Sequence, residues 1–282
     1  MKNKEKTFSV NNHMLMEDFC QSYSITFSAI GRFDDPYYVV DNNNLKELLT
    51  NSDYGFFRYT FDKLLSGITE ELIINGVAYL EILETRNPQN ILIGLDLQVL
   101  DSNCVKNRCN SYIVKESPND NNQKRKVQKN NIVVFKTSDI GISKLRVKRI
   151  LKKIDKIESP NVQLVLNSEK NGFVWDKYID AYNYNQLSVC KDLYWYFRNS
   201  NNPLFSECYL LYRNAKLKEL RQNMYYYITS KINESLTALG NEYGFKGIIK
   251  ERWDKIDYSK CLESLKNGKY NTSQVGEIIF KY

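Results

Sequence analysis

The spacing of apolar residues changes along the chain, and each spacing predicts a different kind of element. Between positions 56 and 75, apolar side chains recur every three or four residues, which predicts a helix with one buried face. Asn75-Gly76 predicts the end of that helix, because both residues readily adopt the left-handed conformation. Residues 77–83 then change to the composition of a strand. The apolar positions of the helix are Phe57, Phe61, Leu64, Leu65, Ile68, Leu72 and Ile73.

Short runs of β-branched and aromatic residues predict the other strands of the first half. A helix is predicted at 45–49, after several polar residues that can cap it. The polar segment 116–131, ESPNDNNQKRKVQKNN, predicts an exposed hairpin loop. The predicted strands cover residues 22–29, 37–41, 91–99, 112–115 and 132–136, with a turn at 31–36.

After position 143 the pattern becomes mainly helical. An apolar stripe at helical spacing predicts an amphipathic helix that Pro160 ends, and it consists of Val147, Ile150, Leu151, Ile154 and Ile157. Two longer helical patterns cover residues 175–197 and 204–239, and glycines at 240, 244 and 247 follow the second. A short helix is predicted at 258–265 and a last strand at 275–280.

Together these patterns predict an α+β fold. Its N-terminal portion combines helix and antiparallel sheet, and its C-terminal portion consists mainly of long helices. We predict three parts, namely a mobile arm over residues 1–13, an α+β core over 14–143 and a mainly helical portion over 144–282.

The charge balance is basic and is concentrated in two places. The 282 residues include 40 Lys and Arg and 33 Asp and Glu, a formal net charge of +7. Such a balance favours anionic partners, either nucleic acid or acidic protein surfaces, although a solvated lysine-rich surface is the simpler alternative. The segment 143–156, SKLRVKRILKKIDK, combines its charge with the apolar stripe and predicts a basic amphipathic helix. Candidate contacts with nucleic acid or a neighbouring subunit are Lys144, Arg146, Lys148, Arg149, Lys152 and Lys153, with Lys124, Arg125 and Lys126 from the polar loop.

The sequence lacks the residue groups on which the common catalytic mechanisms and cofactor sites depend. His13 is the only histidine, and the six cysteines form no C-x-x-C pair, which disfavours triad chemistry and a Cys/His zinc site. There is no P-loop or dinucleotide fingerprint. Among the acidic pairs, Glu81 is expected to be solvated on its strand, and Glu70 and Glu71 to be ordinary surface residues. We predict a protein that is not an enzyme, with no catalytic residues, no metal and no cofactor.

Two further features bear on partners. Aromatic residues cluster at 178–184, 194–197 and 225–227. Base stacking is one use for them, and burial between helices or subunits is the favoured alternative. No apolar run reaches the length of a membrane span, and no apolar core of a secretory signal follows the basic N-terminus. We therefore expect a cytoplasmic protein at synthesis, without membrane contact.

The order of elements between residues 40 and 145 resembles that of the bacteriophage portal protein family. Asn75-Gly76-Val77-Ala78-Tyr79-Leu80-Glu81-Ile82 is similar to a Gly-Asn-Ala-Tyr-like turn and strand of that family. Residues 93–100 resemble its second strand. Residues 131–136, followed by Gly141-Ile142-Ser143, resemble a strand that opens toward Gly-x-Ser. The chain has Asn-Gly-Val where the family has Gly-Asn, and Leu100-Asp101 where a proline is usual.

The resemblance implies a structural role. Portal proteins assemble as homo-oligomeric rings at one vertex of the capsid, pass double-stranded DNA, and dock the terminase and the tail connector. It therefore implies contacts with other copies of the chain, with DNA and with capsid, terminase and connector proteins, and a location in the virion. Two alternatives stay open. One is a basic nucleic-acid-binding protein, phage-associated or defence-related, acting as a monomer or dimer. The other is a metal-dependent nuclease built on scattered carboxylates.

Overall fold

A computed structural model gives the fold, and it describes residues 14–16, 18, 38–50, 57–117, 123–158, 184, 187–189, 191, 193–195, 206–251 and 255–280. The helices are α1 (Asn43–Thr50), α2 (Phe57–Asn75), α3 (Lys144–Glu158), α4 (Glu207–Tyr243), α5 (Tyr258–Lys266) and α6 (Thr272–Phe280). The strands are β1 (Tyr38–Val40), β2 (Val77–Arg86), β3 (Leu92–Leu100), β4 (Val105–Asn107), β5 (Ser111–Lys115), β6 (Lys124–Gln128), β7 (Ile132–Lys136) and β8 (Ile249–Glu251).

The described strands form three antiparallel sheets, which confirms the predicted α+β class. Their orders are β3-β2-β7, β4-β5-β6 and β1-β8. The predicted arm, the strand at 22–29, the turn at 31–36, Pro160 and most of the pattern at 175–197 lie outside the described residues. None of the described helices is both long and apolar enough to cross a membrane.

The chain divides into two units. Unit 1 consists of Met1–Phe19, Leu145–Gln222 and Ile256–Tyr282, and unit 2 consists of Cys20–Lys144 and Asn223–Lys255. Unit 2 thus takes residues 223–255 together with all three sheets. The division into parts at 1–13, 14–143 and 144–282 stays a prediction.

The core of unit 2 is built on α2 and the sheet β3-β2-β7. The predicted apolar face of α2 is buried at Phe61, Leu64, Leu65, Ile68 and Leu72. The helix ends where the sequence predicts, because Gly76 has a φ of +69° and its N–H donates to the Leu72 carbonyl. Thr137, directly after β7, donates its N–H to the Gly76 carbonyl at 3.2 Å. The turn from helix to strand is therefore bonded to the end of the neighbouring strand β7.

A contact between distant segments completes unit 2. Strand β8, which the sequence pattern did not predict, pairs with β1 across more than two hundred residues. Asp41 accepts the Ile248 N–H at 2.7 Å and forms an ion pair with Lys250 at 2.9 Å. These bonds lower the pKa of Asp41, the backbone hydrogen bond having the largest effect. Asn233 of α4 bonds both the N–H and the carbonyl of Ile249 at 2.8 Å.

Unit 1 contains the amphipathic helix α3 and the cluster between α4, α5 and α6. The predicted stripe of α3 is buried at Val147, Ile150, Leu151 and Ile154. The second cluster consists of Leu211, Ala215, Tyr258, Val275 and Ile279. Within it, burial raises the pKa of Tyr258 to about 12.

Two sequence predictions about secondary structure are wrong. Residues 275–280 belong to helix α6 rather than to a strand. Asn271 and Gln274 bond each other's backbone N–H groups at 2.9 and 3.0 Å, which forms a capping box, and Val275 and Ile279 face the core one turn apart.

The polar segment 116–131 contains strand β6, because Val127 packs between residues of β4, β5 and β7. In addition, α4 continues through Gly240 and ends at Tyr243.

Two glycines after α4 provide a matched test of this packing. Gly244 has a φ of +78° with open space around it, so Gly244→Ala costs only backbone strain, about 1 kcal/mol. Gly247 has a φ of +133°, and a Cβ there would lie 2.7 Å from Cβ of Asn42, so Gly247→Ala is expected to cost more than about 2 kcal/mol. Urea denaturation of both variants measures the difference. Equal losses would contradict the close approach of residue 247 to α1.

Candidate nucleic-acid interface

One face of the sheet β4-β5-β6 carries lysines. Lys126 lies opposite Ile113, which lies opposite Lys106, and Lys124 lies opposite Lys115. Residues directly opposite each other in a sheet share a face, so these four lysines lie together, and we call this surface the lysine face. Lys106, Lys124 and Lys126 are exposed and Lys115 is half-buried.

The reverse face of the same sheet is apolar. Tyr112, Val114 and Val127 pack there with Leu100, Val105 and Ile132, and Tyr79 of β2 meets the Tyr112 ring edge-on at 5.9 Å. This burial turns the lysine face outward, since alternate residues of a strand point to opposite sides. Because Val127 is buried on the reverse face, the alternation of β6 places Lys124 and Lys126 on the exposed face.

Arg125 lies on the apolar side and reaches a buried carboxylate. Its guanidinium donates from Nη1 and Nη2 to the two carboxylate oxygens of Glu81 on β2. The Glu81 side chain is 3% exposed and that of Arg125 is 44% exposed. Hydrogen bonding to Glu81 raises the pKa of Arg125. The expectation that Glu81 is solvated is therefore wrong, because β2 is the central strand and Arg125 from β6 covers its carboxylate.

A second carboxylate also differs from its expectation. Glu71, near the end of α2, accepts a hydrogen bond from the Ser102 N–H at 3.1 Å and another from the Ser102 hydroxyl. The same carboxylate oxygen accepts from the Asn75 side chain at 2.9 Å. Glu71 therefore holds the turn after β3 against the end of α2, while Glu70 is exposed as expected. Within the described part of the chain, no three His, Cys, Asp or Glu residues are grouped to hold a metal ion.

A polar cleft lies where β5 begins and β6 ends. Its volume is about 500 Å³, and it opens to solvent. It is lined by Asn110, Ser111, Lys126, Gln128, Lys129 and Asn130. Lys126 belongs both to this cleft and to the lysine face, so the two surfaces are continuous.

Helix α3 carries the other candidate residues. Outside the buried stripe, the exposed residues among positions 144–154 are Lys144, Leu145, Arg146, Lys148, Arg149 and Lys152. Lys153 is half-buried, and its Nζ donates to the Ser188 hydroxyl at 2.8 Å. Lys144 and Arg146 lie in the first turn, where the helix dipole is positive and cations are unfavourable.

The described aromatic residues at 225–227 take part in packing within unit 2. Tyr225 is buried, and the Lys255 ammonium lies 5.0 Å above the Tyr226 ring. The Tyr227 hydroxyl donates to Asp139 at 2.7 Å and accepts the Lys136 N–H at 3.0 Å. Burial and the hydrogen bond to Asp139 raise the pKa of Tyr227 to about 12. Packing thus accounts for this cluster without base stacking.

The structure separates the nine candidates by their surroundings. Lys124 and Lys126 lie on the lysine face, Arg125 binds Glu81, and the remaining six lie on α3. Their roles as contacts stay predictions. Sequence reasoning missed Lys106 and Lys115, which strand pairing brings to the lysine face, and Lys129, which the 3-10 turn after β6 brings to the cleft. The pattern KRKVQ is a local signal for the exposed face of β6, but it carries no signal for the lysines of the neighbouring strands.

Replacement of Arg125 tests the ion pair. Arg125→Ala leaves the buried Glu81 carboxylate without its cation, and we expect the free energy of unfolding to fall by about 2 kcal/mol or more. Lys124→Ala, one residue earlier on the exposed face, is the control and should change it by no more than about 0.5 kcal/mol. A double-mutant cycle with Glu81→Gln measures the coupling. Equal effects of the two alanine variants would show that the pair contributes nothing.

No family model matches the chain, and no curated protein matches it. The basic surfaces and the sheet topology are the observations on which a function can be proposed.

Proposed function

We propose that this protein is a structural, portal-like ring subunit of a phage or phage-derived particle, which forms a passage and docking platform for DNA. The observation that carries the proposal is the order β3-β2-β7 of the central sheet. The three segments that resemble portal proteins supply these three strands. They therefore form one structural module rather than three unrelated short matches.

Contacts at the edge of this module support the same proposal. The carbonyl of Gly76 accepts both the N–H and the hydroxyl of Thr137. A Cβ at Gly76 would lie 2.8 Å from Cγ of Lys144, at the start of α3. Three parts of the region that resembles portal proteins thus meet at Gly76. They are the turn before β2, the end of β7 and the segment after Gly141-Ile142-Ser143. A ring subunit needs such a rigid module to hold its contact surfaces in fixed positions.

The charge distribution also suits a subunit that lies beside DNA. Both the lysine face and the exposed side of α3 could neutralise backbone phosphates without reading sequence. Phosphate contacts of this kind suit a passage through which any sequence must move.

The ring proposal is tested by the mass of the particle in solution. Size-exclusion chromatography with light scattering, after nuclease treatment and at several salt concentrations, should give a large multiple of the chain mass. Negative-stain images of that fraction should show closed rings, since heterologous contacts close when the rotation permits. A monomer at high protein concentration in every salt condition would overturn the proposal.

A second candidate is a nucleic-acid-binding protein that acts as a monomer or dimer. The exposed basic side of α3 favours it, because Lys148, Arg149 and Lys152 are exposed on one side of a helix whose other side is buried. This function does not require a ring.

Charge reversal on α3 tests the second candidate. Lys148→Glu, Arg149→Glu and Lys152→Glu together should weaken duplex DNA binding. If all three residues contact phosphates, the slope of log K against log salt should become shallower by roughly 2 to 3, since each contact contributes about 0.9. Fluorescence anisotropy at four salt concentrations gives both values.

The matched control reverses three exposed lysines of the same unit, with Lys260→Glu, Lys266→Glu and Lys269→Glu. It applies the same change in net charge away from α3. If both triple variants bind DNA equally, net charge rather than α3 determines the affinity, and the second candidate loses its support.

A further inference from the structure

We propose that the cleft where β5 begins and β6 ends binds phosphate groups. This site lies in unit 2 and consists of Asn110, Ser111, Lys126, Gln128, Lys129 and Asn130. The proposal goes beyond the ring assembly, and it requires no contribution from α3.

The chemistry of the lining favours an oxyanion. Lys126 and Lys129 supply two ammonium groups, and the three amide side chains and the Ser111 hydroxyl supply neutral donors. Among the described residues that line the cleft, none carries a carboxylate. A phosphate group offers several strong acceptor oxygens together, so it can engage both lysines and neutral donors at once.

The backbone places these donors by three local features. The Arg108 N–H donates to the Ser111 carbonyl at 2.8 Å, and this tight turn brings Asn110 beside the start of β5. Ser111 lies directly opposite Gln128 in the β5–β6 pairing. The 3-10 turn Lys129–Asn131, which follows β6, supplies the last two lining side chains. The cleft is therefore formed by backbone geometry rather than by lysines that happen to be neighbours.

Few of the described residues near the cleft are acidic. Among the described positions 102–117 and 123–131, Glu116 is the only acidic residue. Its N–H bonds the Gln123 carbonyl, which places it at the other end of the β5–β6 pair. Arg125 forms an ion pair with Glu81, so it is not one of the cations that line the cleft.

The volume of the cleft and the spacing of the lysines beside it indicate which class of phosphate compound binds there. Its volume of about 500 Å³ is far larger than one phosphate group, so the cleft has room for the rest of a nucleotide. Lys124 and Lys126 are alternate residues of one strand, about 6.8 Å apart along it. This spacing is similar to that of successive phosphates in an extended strand. The lysine face could therefore continue a contact that begins in the cleft, which favours a nucleic-acid backbone over a free nucleotide as the source.

The test combines a charge reversal with a map of the site. The full chain carrying Lys126→Glu and Lys129→Glu is compared with wild type and with Lys136→Glu plus Lys246→Glu, two exposed lysines of the same unit outside the cleft. The probes are inorganic phosphate, a nucleoside monophosphate, a labelled single-stranded oligodeoxythymidine and polyglutamate. Anisotropy measures oligonucleotide binding, and the other probes are tested as competitors.

We expect the cleft variant to bind the oligonucleotide about tenfold or more weakly than wild type. Its salt slope should be shallower by about 1.4, the value for two contacts on a single strand. The control variant should retain most of its affinity. Hydrogen–deuterium exchange of wild type, which needs no variant to fold, should show protection at 108–113 and 126–131 when phosphate or the oligonucleotide is added.

The outcomes separate the possible sources. Protection by the oligonucleotide alone identifies a nucleic-acid backbone, and protection by inorganic phosphate and the monophosphate identifies a free phosphate compound; either supports the proposal. It is overturned if the cleft variant and the control lose affinity equally, if no probe protects the cleft, or if polyglutamate competes as well as nucleic acid. The light-scattering result does not depend on the cleft. Failure of the ring proposal can therefore be distinguished from failure of the phosphate-site proposal.

Discussion

A carboxylate buried on the central strand of a sheet needs a cation, and Glu81 receives one from Arg125 on a different sheet. This ion pair holds β6 against β2 in one register. A slip of β6 by one residue would bring Lys124 or Lys126 to the buried carboxylate and turn Val127 outward. The direction of the side chains on β6 therefore depends on this bidentate contact together with the burial of Val127, and the lysine face depends on that direction.

The basic run at 124–126 thus has two different tasks. Arg125 serves the fold, while Lys124 and Lys126 remain at the surface with the lysines of β4 and β5. The alternation of a single strand thus separates the side chain that contacts the core from the two that remain exposed. In α3 the same separation follows helical periodicity, with apolar residues on one side and cations on the other.

Elements with a strong local period could be predicted from the sequence. The face of α2, its end at Gly76 and the strands β2, β3, β5 and β7 are examples. Strand β8 could not, because it pairs with a segment more than two hundred residues earlier. Strand β6 could not, because Val127 is its only apolar residue. Glu81 was missed because Arg125, which covers its carboxylate, lies 44 positions later in the chain. For α6 a local signal existed, the Asn271 and Gln274 capping box, and the β-branched residues after it misled the prediction. In the candidate site, composition indicated a basic cluster, but only strand pairing assigned its members to opposite faces.

The pairing of β1 with β8 affects the order in which the chain can fold during synthesis. Strand β1 ends at Val40, and its partner begins at Ile249. Strand β1 therefore cannot pair with β8 until residues 249–251 have left the ribosome, while the sheet β3-β2-β7 can close after residue 136. Completion of unit 2 is thus delayed by a contact of very large sequence separation, which is the kind that slows folding most. During that interval the edge of β1 that pairs with β8 is open, and the ion pair of Asp41 with Lys250 cannot yet form.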